Sequence, residues 1–209
     1  MQAKTFVTAN KKLVRYTMLG LFAAIVLTIA AIVAVELILA RDRKRFEKII
    51  DDYAKYSVMG DTERSRAAVN DLKKFIDATY FGFPHNMAFF VLGNIYYSEK
   101  NYKEADYNLV RFAGKESSTI FAPQALIKAA LAREEAGDLK GARELYRRLE
   151  EKYGDTVLAD QIFFNYGRLC WKMKDVFNSR RYYNKVITAF PDSSFAMLAR
   201  KRLFMLGAL

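Results

Sequence analysis

Three small residues, Ala105, Ala142 and Ser179, stand 37 residues apart, and each occupies the same place in a recurring phrase. The first phrase runs from Leu92-Gly93-Asn94-Ile95-Tyr96 to Ala105. The second runs from Ala130 through Gly137-Asp138 to Ala142, and the third from Tyr166-Gly167 through Lys174-Asp175 to Ser179. Within each phrase the apolar residues recur at three- and four-residue spacing, the period of a helix with one buried face. A fixed period of this length marks stacked helical hairpins, none of which can bury its apolar face alone. The chain is therefore expected to be all-α, a solenoid. Only 3 Pro and 10 Gly in 209 residues, with 52% hydrophobic residues, agree with helices and a sizeable core and disfavour a turn-rich sandwich or a disordered chain.

The residue types explain the spacing. Small side chains let the two helices of a hairpin approach closely, and large apolar ones fill the space around them. In this respect the chain resembles the tetratricopeptide repeat, which places bulky residues at positions 4, 7, 11 and 24, small ones at 8 and 20, and Pro at 32. A repeat starting at Asn86 supplies Phe89, Leu92, Gly93, Tyr96, Ala105 and Leu109; one from Pro123 supplies Leu126, Ala129, Ala130, Ala142 and Tyr146. The repeat from Asp160 supplies Phe163, Tyr166, Gly167, Cys170, Ser179, Tyr183 and Pro191, with Cys170 where the family has Tyr. A degenerate repeat is expected before these, turning at Gly60-Asp61 with Ser65, Val69 and Leu72 on its second helix and ending at the Phe81–Pro84 break. After Pro191, a last helix carrying Phe195, Leu198, Leu203 and Leu206 is expected to cap the stack.

A second feature precedes the repeats. Between Arg15 and Arg41 lie 25 residues with Glu36 as the lone ionisable acid or base of ordinary charge, which as a helix span about 37 Å against about 30 Å of hydrocarbon. This reads as one uncleaved transmembrane helix, longer than a signal-peptide core and without a lipidation Cys behind it. Glu36 sits about one turn from Arg41, where headgroup water relieves the cost of about 2.5–3.5 kcal/mol that a comparable acid incurs at the bilayer centre. Gly20, Ala24, Ala30 and Ala34 offer a small-residue face for a partner membrane helix, with Glu36 as a further contact. Lys4, Lys11, Lys12 and Arg15 before the segment nearly balance Arg41, Arg43, Lys44, Arg45 and Lys48 after it, so flanking charge leaves the orientation open. The expected organisation is a tail at 1–15, a membrane helix at 16–40, a juxtamembrane helix and degenerate repeat at 41–84, and three repeats plus a cap at 85–209.

Catalytic patterns are sparse. His85 is the sole His and Cys170 the sole Cys, so a disulfide framework, a zinc site and most imidazole chemistry are disfavoured. Asp51-Asp52, Glu134-Glu135 and Glu150-Glu151 read as solvated helix carboxylates, and no phosphate loop or Ser/His/Asp set appears. Residues 41–209 hold 30 Lys and Arg against 22 Asp and Glu, but the charges alternate along the helices and do not form a phosphate track. No cofactor or metal is expected, and the chain is read as a non-enzyme.

The tetratricopeptide resemblance implies a concave groove lined by positions 2, 5, 9 and 12 of each first helix. These are Met87, Phe90, Asn94 and Tyr97; Gln124, Ile127, Leu131 and Glu134; and Gln161, Phe164, Arg168 and Trp171. The set is mainly apolar and aromatic, suited to an amphipathic helix or an extended segment, and only Asn94 and Arg168 match a carboxylate clamp. The 37-residue period and the Phe190-Pro191-Asp192-Ser193-Ser194 phrase are similar to those of bacterial envelope members, among them the membrane-anchored ancillary subunit of the Sec translocon. That resemblance implies an inner-membrane protein with its solenoid in the periplasm. Its implied partners are other proteins, such as the translocon or a periplasmic chaperone, in secretion or envelope assembly. The alternatives are a permanent scaffold subunit of an envelope machine and, more remotely, a carboxylate-dependent enzyme.

Overall fold

The computed structural model describes residues 11–207. Lys4 and most of the expected tail lie outside them. Among the described residues every regular element is a helix: α1 Lys11–Val58, α2 Thr62–Ala78, α3 Phe83–Ser98, α4 Tyr102–Lys115, α5 Phe121–Glu135, α6 Leu139–Tyr153, α7 Ala159–Lys172, α8 Val176–Ala189 and α9 Ser194–Gly207. The chain divides into two units, Met1–Ala68 and Val69–Leu209.

In the first unit, α1 is a single 48-residue helix, about 72 Å at 1.5 Å per residue. It passes from the apolar segment into Arg41–Lys48 without a break, because Arg, Lys and Glu are good helix formers and no Gly or Pro interrupts them. Its apolar residues are exposed, from Leu13 through Leu21, Leu27 and Ile32 to Leu37. Thr17 and Thr28 donate their hydroxyls to the Val14 and Ala24 carbonyls, which satisfies them without water.

In the second unit, α3 packs on α4, α5 on α6 and α7 on α8, successive hairpins stack, and α9 lies on α8 and α7. The small residues work as spacers. Ala105, Ala142 and Ser179 are fully buried. A Cβ on Gly93 would lie 2.6 Å from Leu109 Cγ, and one on Gly167 would lie 3.0 Å from the Tyr183 ring, so the helices of both hairpins touch there. The core between them holds Leu109, Phe112, Leu145, Tyr146, Leu149, Ile162, Leu169 and Tyr183.

Four of the turns between successive helices share one construction. At Gly60, Lys100, Gly137 and Lys174 the backbone enters the left-handed region, with φ of 72°, 61°, 85° and 64°. Each turn closes with paired bonds, such as Asp138 N–H to Arg133 O and Gly137 N–H to Glu134 O, the Schellman arrangement that satisfies the last helical carbonyls. Asp61, Asp138 and Asp175 then accept the backbone N–H three residues on and cap the next helix. The Lys100, Gly137 and Lys174 turns fall at the 37-residue period, and lysine bears a Cβ penalty there that glycine avoids. Lys174→Gly is expected to raise stability by about 1 kcal/mol, read as a higher urea midpoint by circular dichroism, whereas Gly137→Lys should lower it by a similar amount.

Helix α9 covers the last hairpin with Ala196, Ala199 and Leu206 buried and Phe195 and Leu203 packed beside them. Leu198, expected on the inner face, is instead half-exposed, because the buried stripe runs through 195, 199, 203 and 206. Arg180 Nη2 donates to the Leu206 carbonyl at 2.6 Å and holds the helix end.

Candidate functional site

Helices α3, α5 and α7 are the first helices of the three hairpins. Together they line a recess of about 310 Å³ with Phe90 and Asn94 from α3, Gln124, Ile127, Lys128 and Leu131 from α5, and Gln161 from α7. Six of the twelve residues expected in the groove thus meet at one place. Their floor is fixed from behind: the Phe90 ring stands 5.0 Å from Phe112 and 5.7 Å from Phe121, and Ile127 is almost completely buried.

Lys128, absent from the expected set, supplies the cation of the recess. Its Nζ donates to Asn94 Oδ1, while Asn94 Nδ2 donates to the Phe90 carbonyl at 2.7 Å and so holds the amide in orientation. Burial pushes the Lys128 pKa below the ordinary lysine value, and its ammonium lies 5.7 Å from the centre of the Tyr97 ring. Tyr97 in turn has a raised pKa, first by burial and then by Glu135. The signal for Lys128 was present in the sequence as the lone charge within the apolar stretch Phe121–Ala132. It occupies the sixth position of its repeat, beside the fifth.

The other expected groove residues have different surroundings. Glu134 is only 2% exposed; its Oε1 accepts from Arg168 Nη2 at 2.7 Å and lies 3.5 Å from the Tyr146 hydroxyl. Lys172 Nζ donates to the Glu134 carbonyl at 3.2 Å. Glu134 and Arg168 are therefore joined to each other, linking α5 to α7. Phe164 is buried between Tyr183 and Phe195, with ring centres at 5.6 and 5.4 Å. Met87 and Trp171 are half-buried against the core, and Tyr97 packs edge-on against Tyr102.

The two reactive singletons lie in packing positions. Cys170 is buried, and burial together with Asp175 pushes its thiol up to about 11, which leaves it protonated and unreactive at neutral pH. His85 is buried with its Nδ1 3.0 Å from the Thr79 hydroxyl, and burial plus Lys115 and Arg111 hold its pKa below the usual value. Among the described residues no three His, Cys, Asp or Glu side chains gather as a metal-binding group.

On α1, Gly20, Ala24, Ala30, Ala34 and Glu36 are all exposed, and a Cβ on Gly20 would meet nothing within 4 Å. At about 100° per residue, Gly20, Ala24, Ala30 and Ala34 share an arc of roughly 120°, whereas Glu36 points roughly 160° away from Gly20. The helix does not bring Glu36 onto the small-residue face.

Residues 124–156 and 160–193 each match a model of the tetratricopeptide repeat. A crystal structure of a tetratricopeptide repeat protein from Parabacteroides merdae superposes with a TM-score of 0.62 at 15% identity, covering 79% of this chain and 61% of that one. The chain thus spans less than two thirds of that protein's length. No curated protein matches the sequence. The chain carries tetratricopeptide repeats stacked as an all-helical solenoid, an architecture that indicates a protein–protein interaction module.

Proposed function

We propose that the chain is a membrane-anchored adaptor of the bacterial cell envelope whose concave recess captures a segment of another protein during secretion or envelope assembly. The observation that carries this reading is the recess shared by α3, α5 and α7, with apolar walls at Phe90, Ile127 and Leu131 and polar groups at Asn94, Gln124, Lys128 and Gln161. Such a lining suits an extended or helical segment that buries one apolar side chain and offers an acidic or carbonyl oxygen to Lys128, since an ammonium has three donors and Asn94 takes one. Helix α1 is long and apolar enough to cross a membrane. As an anchor it would confine the recess near the site where clients emerge, which raises their effective concentration without any new contact. Repeats of this type act as interaction scaffolds, and a binding role accounts for the recess without assigning chemistry to any carboxylate.

Lys128→Glu is expected to weaken partner capture roughly tenfold, the loss of about 1.4 kcal/mol, while helicity and membrane insertion stay intact. Crosslinking in intact cells followed by purification of the full chain measures this, and unchanged capture would contradict the role of the recess. External protease should digest residues 41–209 in spheroplasts if the solenoid is periplasmic; protection until lysis would reverse that orientation.

A second reading, a permanent scaffold subunit, draws on the outer face of α9, where Met197 and Phe204 are 65% and 80% exposed. A stoichiometric partner retained in mild detergent and indifferent to Lys128→Glu would favour it.

A further inference from the structure

Where one hairpin passes to the next, the connecting loops are laced side by side. Asn86 Nδ2, at the start of α3, donates to Glu116 Oε1 at 2.6 Å; Tyr153 donates its hydroxyl to the Ser117 carbonyl at 2.8 Å; Ser193 bonds to the Asp160 carboxylate. Along this edge Phe83, Ile120 and Val157 stand 37 residues apart at one register, exposed by 50%, 69% and 90%. Ile120 and Val157 border a common recess of about 430 Å³, with Pro123 and Leu158 in its lining. Cations repeat with the same interval: Arg111 with Arg148, and Lys115 with Lys152, all four exposed. The acids around them are mostly engaged. Glu116 holds Asn86, Glu150 pairs with Lys185 and Glu151 with Arg147, leaving Asp155 as the exposed acid of the 154–158 loop.

One exposed apolar tip is ordinary, but three at one register beside a doubled row of cations form a directional surface. Apolar residues that reach the acyl boundary, with lysines at headgroup level, are the composition of an interfacial membrane contact. Two of the three tips are aliphatic, which suits hydrocarbon and gives no stacking platform for bases. We propose that this edge is a lipid-facing surface whose occupant is an anionic bilayer leaflet, with Phe83, Ile120 and Val157 entering the interface and Lys115, Arg148 and Lys152 facing the headgroups. The proposal rests on the membrane-anchored reading above, since the anchor would tether the chain to a bilayer.

The test uses the full chain with a fluorophore on one introduced cysteine at a time: Ile120→Cys and Val157→Cys on the edge, Lys140→Cys at the opposite, turn-bearing edge, and Val26→Cys in α1. Cys170 is buried and does not compete for the label. Each protein is added to vesicles of phosphatidylcholine alone or mixed with phosphatidylglycerol, both carrying a lipid-borne quencher. Labels at 120 and 157 are expected to be quenched severalfold more than the label at 140, only with phosphatidylglycerol, and less at high salt. Equal quenching at 157 and 140, equal quenching on phosphatidylcholine alone, or a label at 157 that responds to an oligonucleotide and not to vesicles would overturn the proposal. The label at 26 reports the anchor separately, so failure of α1 to insert is distinguishable from failure of the edge.

Discussion

Tyr146→Ala is expected to remove about 3–5 kcal/mol of stability, the range for deleting a large buried ring. Tyr146 is fully buried, its ring is stacked 5.7 Å from Tyr166, and Tyr166 stacks 4.2 Å from Tyr182, so the ring begins a column that runs across two hairpins. The backbone there cannot collapse into the gap, because Ala142 and Leu145 already hold α6 against its neighbours. The hydroxyl matters less. At 3.5 Å from Glu134 Oε1 it is a long contact, and Tyr146→Phe should cost about 1 kcal/mol or less. Since native domains are stable by about 5–15 kcal/mol, the Ala variant should show partial unfolding in a urea titration of the full chain in mild detergent, with Trp171 as the single tryptophan reporter. A midpoint no lower than that of Tyr107→Ala, whose ring is mostly exposed, would contradict the packing described here.

The second large effect belongs to the Glu134–Arg168 pair. Glu134 is buried but the Arg168 side chain retains 28% exposure, so removing the carboxylate leaves a guanidinium that water reaches in part. Glu134→Ala should therefore cost about 2–3 kcal/mol, less than the loss of a partner from a fully buried pair. Removing both charges with Glu134→Leu and Arg168→Met is expected to recover most of that loss, because no buried charge is then left without its partner. A double-mutant cycle gives the coupling directly. Additive effects would show that the two side chains act independently, against the geometry. The same pair joins α5 to α7, the two helices from which Gln124 and Gln161 border the recess.

The repeat could be read from the sequence because its signal is steric. Ala105, Ala142, Ser179, Gly93 and Gly167 are small where helices touch, and a larger residue at any of them would meet a neighbour, so the spacing of small residues is a direct record of the packing. The capping helix was legible in position but not in rotation: Leu198 has the composition of an inner residue, and only the placement of Ala196 and Ala199 shows which stripe faces inward. Turn geometry was legible at Gly137 and hidden at Lys100 and Lys174, where the same left-handed conformation is imposed on lysine by the surrounding hairpin. Helical positions alone place Phe90, Asn94, Gln124, Ile127, Leu131 and Gln161 on one side, and these line the recess, whereas Lys128 lies one step round the helix and its long side chain reaches the same space. Likewise, nothing in the one-dimensional pattern told that Phe164 would be covered by Phe195 from α9, or that Glu134 and Arg168 would be engaged with each other.

Position-resolved photo-crosslinking in intact cells tests the central claim most directly. A photoreactive residue is placed in the full chain at Gln124 or Gln161 in the recess, at Glu144 on the second helix of the middle repeat, or at Gly20 and Ala24 on the small-residue face of α1. The account predicts adducts to the same protein from 124 and 161, weakened by Lys128→Glu, and none to that protein from 144. Adducts formed only from 144, or only from 20 and 24 with 124 and 161 silent, would contradict it and move recognition to another helix face or to the membrane segment.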